Sequence, residues 1–66
     1  MVHIQSPDKW NGYKWDVYVE DRHGAETVRK TFNTEAEAKA QAKVWSDEMD
    51  RTGITIGSPV GASYER

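Results

Sequence analysis

The sequence predicts a small α+β domain: an antiparallel three-stranded sheet packed by one α-helix, with a short C-terminal strand, in the order β-β-β-α-β. Three observations carry that expectation. "YKWDVYVE" alternates with the period of a half-buried strand, and "ETVRKTF" follows it after the turn-like "RHGA". In "NTEAEAKAQAKVWSDEMDRTG" the apolar period then changes from two to that of a helix. At 66 residues the chain makes one domain, expected over 1–56, with a flexible tail over 57–66 that is rich in Gly, Ser and Pro. Folding at this size removes only about 60% of the surface the unfolded chain exposes, so the core must be thin and depends on large rings.

In the central strand Tyr13, Trp15, Val17 and Val19 fall on one side, and Lys14, Asp16, Tyr18 and Glu20 on the other. The apolar side is expected to be the core, which makes Tyr13 and Trp15 structural. A four-residue loop from Arg22 to Ala25 pairs Val19 with Val28 and Trp15 with Phe32, placing the apolar sides of both strands on one face. Lys30 then lies opposite Val17 on the inner face, an edge lysine with its stem on apolar surface and its ammonium in water. Upstream, "VHIQ" is a further strand. Asn11-Gly12 suits a two-residue hairpin turn that sets Trp10 against Tyr13 and Ile4 near Val19. Pro7 interrupts that pairing, so the strand is either bulged or ends in a loop from Ser6 to Gly12.

The helix is expected over Glu35 to Arg51, opened by Thr34 and Glu37 in capping-box spacing and stopped by Gly53. Ala38, Ala42, Trp45 and Met49 form its buried stripe, the alanines allowing close approach to the sheet. Glu35 with Lys39, Lys43 with Asp47, and Asp47 with Arg51 are spaced to support the exposed side. Ala36, Ala40 and Val44 form a milder second stripe, readable as helix propensity, a docking surface or a dimer seam. "ITI" after Gly53 is the closing strand.

Composition narrows the function. Without cysteine there is neither a disulfide nor a thiolate metal site, and a cytoplasmic setting is the expectation. No segment approaches the ~20 apolar residues that span a bilayer, so no membrane role is expected. Nine Lys and Arg against eleven Asp and Glu provide no basic excess for a phosphate backbone. Two widely separated histidines, and serines without a histidine-carboxylate context, offer no catalytic residues, no metal site and no cofactor.

What remains are surface groups. Asp47, Glu48 and Asp50 crowd the last helical turns, where the helix dipole disfavours anions by about 0.3–1 kcal/mol each. Local pairing with Lys43 and Arg51 accounts for them blandly; an acidic patch that steers a basic partner accounts for them functionally. Trp10, at a turn, and Tyr18, on the polar side of the sheet beside Arg29, are the rings left over from the core.

The run from Tyr13 to Gly53 resembles the arm-site DNA-binding domain of phage and transposon tyrosine integrases, at Trp15, Val17, Val19, Gly24, Phe32, Thr34, Glu37, Ala38 and Trp45. The resemblance implies a three-stranded sheet whose exposed face enters the DNA major groove. Here that face presents Lys14, Asp16, Tyr18, Glu20, Thr27, Arg29 and Thr31, whose charges cancel. Family members carry more basic residues around the turn, where this chain has "EDRHGAE", and no recombinase activity carries over. The layout is also similar to small phage and bacterial proteins, including short acidic ones that bind and inhibit host enzymes.

The leading expectation is therefore a non-enzymatic binding module, a phage or mobile-element accessory protein that contacts a host protein through Asp47, Glu48, Asp50, Trp10 and Tyr18. The alternative is a DNA-binding module using Lys14, Tyr18, Arg29 and Lys30 on the sheet and Arg22 and His23 at the turn.

Overall fold

The computed structural model describes residues 1–57, and the expected flexible tail lies outside them except for Gly57. Strands β1 (Val2–Gln5), β2 (Trp15–Glu20) and β3 (Glu26–Phe32) form an antiparallel sheet in the order β1-β2-β3, and helix α1 (Glu35–Thr52) packs on one face. The registers Val19↔Val28, Trp15↔Phe32 and Val17↔Lys30 follow the alternation of the two strands. One residue departs from it. A bulge at Val19/Glu20 pairs Glu20 with Glu26, so the connection is the five residues 21–25. Thr27 is left over and turns its hydroxyl to the carbonyl of Ile56, 2.6 Å away. It does not join the polar face on which simple alternation puts it.

The core consists of Val17, Val19, Ala38 and Trp45, with Val2, Trp15, Val28, Phe32, Ala42, Met49 and Ile56 packed around them. Val17 and Val19 are fully buried because β2 is the central strand and lies directly beneath the helix. Burial of each valine is worth about 1.5–3 kcal/mol. A helix is only about 10–12 Å wide and so covers the middle of a three-stranded sheet better than its flanks. In the row across Val17, Ile4 on one side and Lys30 on the other both stay exposed.

The helix ends are closed as the sequence predicts. Thr34 accepts the Glu37 amide at its side chain, and Gly53, at φ +72°, donates its own amide to Met49 at 2.8 Å. Along the exposed face Lys39 pairs with Glu35 and Lys43 with Asp47, whereas Arg51 reaches Glu48 and not Asp47.

Three expectations are corrected. Among the described residues "ITI" forms no strand: Ile54 is exposed, and the chain turns so that Ile56 packs on the core beside β3. Gly57 approaches so closely that a Cβ there would lie 2.9 Å from the Thr27 carbonyl oxygen. Asn11-Gly12 makes no two-residue hairpin. Instead β1 stops at Gln5, a loop crosses residues 6–14 through a 3₁₀ turn at Lys9–Asn11, and Ile4 faces Val17 while Val2 takes the place beside Val19. Tyr13 belongs to that loop and points away from the core.

Candidate functional site

Loop 6–14 is built around two short polar side chains. Asp8, in extended conformation, accepts the amides of Trp10 and Asn11 at its carboxylate and that of Tyr13 at its carbonyl. Asn11 answers by accepting the amides of Asp8, at 2.9 Å, and Lys14, at 3.2 Å, and by donating to the Ser6 carbonyl. This is a reciprocal capping box closed on a single turn. Gln5 donates to the far oxygen of Asp8, tying the loop to the end of β1. Two left-handed residues in succession, Gly12 at φ +70° and Tyr13 at φ +61°, bring the chain back to β2. Glycine takes that conformation freely; for tyrosine it costs roughly 1–2 kcal/mol.

The consequence is a braced ledge with its aromatic groups turned outward. Trp10 is 84% exposed and Tyr13 73%. Lys9 lies over the Trp10 ring at 5.4 Å, and Lys14 donates to the neutral Asn33 at 2.9 Å.

The outer face of the sheet is a separate polar network. Asp16 is only 3% exposed, with Arg29 on one oxygen at 2.5 Å and the Thr31 hydroxyl on the other at 2.8 Å. Arg29 also forks onto both oxygens of Glu26. Hydrogen bonding to Glu26, and then to Asp16, pushes the guanidinium further above its already high ordinary value. The same contact holds the Glu26 carboxyl below the usual range. Tyr18 is enclosed between the His3 ring, stacked at 4.9 Å, and Arg29, 4.7 Å from its centroid. His3 in turn meets Glu20 at 2.9 Å. In the turn, the Asp21 side chain accepts the amides of Ala25 and His23, which lower its pKa.

The acidic helix end lies at the opposite end of the molecule from loop 6–14. The loop joins the Gln5 end of β1 to the Trp15 end of β2 and touches Asn33, just before the helix. The last turns of the helix instead share an open groove of about 450 Å³ with Met1, Val2 and Ile54, and Asp50 lines it. Asp47 and Glu48 are paired with Lys43 and Arg51; Asp50 makes no ion pair among the described residues.

The expected protein contacts therefore fall on three surfaces: Trp10 on the ledge, Tyr18 inside the sheet-face network, and the three carboxylates at the far helix end. Of the expected DNA contacts, Tyr18 and Arg29 are engaged with one another, and Lys30 faces the helix side of the sheet. Lys14 is on the ledge, and Arg22 and His23 are in the exposed 21–25 turn. Tyr13 is the site residue that alternation misses. Its signal was "DKWN", whose Asp-x-x-Asn spacing allows a capping box that ends strand geometry before Tyr13.

Among the described residues no helix is long and apolar enough to cross a membrane, and no three His, Asp or Glu side chains are grouped to hold a metal. No family model matches the chain, and comparison with curated proteins and with solved structures finds no match.

Proposed function

We propose that this chain is a small non-enzymatic binding module that takes hold of a protein partner with the aromatic ledge of loop 6–14. The observation that carries the reading is the exposure of Trp10 and Tyr13 on a backbone fixed by Asp8 and Asn11. A core as thin as this one has every use for large rings, yet two are held in water, Tyr13 at a cost in backbone strain. Trp and Tyr are the side chains that most often dominate interface energies, and ordering them in advance lowers the entropy lost on binding. The non-enzymatic part rests on chemistry: His3 is occupied by Tyr18 and Glu20, and His23 lies in a turn.

The acidic helix end serves in this reading as a second, steering surface, with Asp50, which makes no ion pair among the described residues, as its available charge. The accessory role toward a host protein rests on the resemblance in layout to small phage proteins. Sheet-face DNA binding is less favoured, because among the described residues that face sets Asp16, Glu20 and Glu26 against Arg29 and His3, and both are already engaged with them.

The test is site-specific photocrosslinking from position 10, 13 or 47 in a nuclease-treated bacterial lysate. A crosslinked protein from positions 10 and 13, displaced by excess unlabelled wild type but not by a Trp10→Ala/Tyr13→Ala double variant, is the expected result. Crosslinking from position 47 alone, or a product that forms only in a parallel lysate left without nuclease, would contradict the reading.

A further inference from the structure

We infer that the ledge is built for an acidic partner segment, one that sets an apolar side chain against Trp10 and Tyr13 and carboxylates against Lys9 and Lys14. This rests on the ledge being the binding surface and adds the chemistry of what binds there. The loop contains three charged residues, Asp8, Lys9 and Lys14. Asp8 is the only anion, and its oxygens are filled by two backbone amides and Gln5. Neither lysine pairs with a carboxylate among the described residues: Lys9 lies over a ring and Lys14 rests on an amide oxygen. The charge left to meet a partner is therefore positive, on a chain whose formal net charge is −2.

That local sign is also limited in extent, which selects the kind of anion. Just beyond Asn33 the helix begins with Glu35 and Glu37, and the near end of the outer sheet face carries Asp16. A polyphosphate strand running past the ledge would meet these carboxylates, whereas a peptide needs to place only one or two acidic side chains beside its apolar anchor. An acidic peptide therefore fits better than a single-stranded nucleic acid, although the rings alone could stack with either.

The experiment is selection of randomised dodecapeptides on the full chain, followed by fluorescence anisotropy of the selected peptides and of a twenty-nucleotide oligodeoxythymidine. Enrichment of Asp and Glu around an apolar residue is expected. Binding should weaken about tenfold in Lys9→Glu/Lys14→Glu and vanish in Trp10→Ala/Tyr13→Ala, with circular dichroism confirming that both variants fold. Selected peptides that need both rings but are neutral or basic would overturn this inference and leave the ledge standing as a binding surface. Binding that ignores the loss of the rings would overturn the ledge itself. No enrichment, tighter binding of the oligonucleotide, or self-association abolished by Trp10→Ala would each contradict an acidic peptide as the occupant.

Discussion

Tyr13 and Asp16 are the two residues whose environment departs most from the alternating pattern they sit in. Tyr13 precedes the strand whose alternation includes it, and replacing it by glycine separates strain from packing. The left-handed backbone costs tyrosine roughly 1–2 kcal/mol, against about 0.5–1 kcal/mol of extra entropy that glycine loses on folding. Tyr13→Gly should therefore raise stability by up to about 1 kcal/mol in urea unfolding while weakening partner capture; marked destabilisation would mean the ring packs on the fold. Asp16 shows the reverse situation, a charge on the outer face that is nonetheless buried. Its neighbours Arg29 and Thr31 were visible in the register, but that their side chains would close over it was not, because alternation assigns a face and says nothing of coverage. Asp16→Ala removes the partner of the Thr31 hydroxyl and of one arm of Arg29, both of which reach solvent. Since Arg29 is about one third exposed and can turn to water, the expected loss is about 1–3 kcal/mol and not that of a fully buried pair. Chemical denaturation of the variant checks it.

At the scale of elements, β2, β3 and α1 were legible almost to the residue. Each is periodic apart from the bulge that sets Thr27 aside, and the helix ends on residues with a definite backbone preference, Thr34 and Gly53; the hairpin loop, expected over 22–25, spans 21–25 because of that bulge. Loop 6–14 was legible in part: Pro7 left a loop from Ser6 to Gly12 as one of two readings, but Asn-Gly suits a hairpin as well as it suits the end of a capped turn, so Tyr13 and Lys14 were placed in the strand. The segment after the helix was misread for a related reason: "ITI" has strand propensity, but only Ile56 finds room on the core, and Thr27 anchors it by a single hydrogen bond. Thr34→Ala removes the acceptor for the Glu37 amide and should cost about 1 kcal/mol, lowering the helix-monitored unfolding midpoint. Gly57→Ala should destabilise the packing of Ile56 against β3, because its φ of +82° and the Thr27 carbonyl both oppose a Cβ. Faster amide exchange near Thr27 in that variant is the observable.

The two ends of the molecule carry different chemistry: lysines without a carboxylate partner among the described residues, beside exposed rings, at one, and a groove that Asp50 lines at the other. The hairpin and outer face add a dependence on pH. Asp21, held down by the Ala25 and His23 amides, and Glu26, held down by Arg29, have folded values below their ordinary 3.8 and 4.5. Depressed carboxylates contribute stability above their unfolded pKa and lose it as pH falls through the folded one. The unfolding midpoint should thus be nearly flat from pH 8 to about pH 5 and decline below about pH 4, and the decline should be shallower in Glu26→Gln. The functional account depends on loop 6–14 being fixed before any partner arrives. Backbone ¹⁵N relaxation of the free protein measures this most directly. The account predicts order parameters near 0.85 for residues 9–13, like those of the sheet, and a fall below about 0.6 in Asp8→Ala. Values below about 0.6 in the wild-type loop would contradict it.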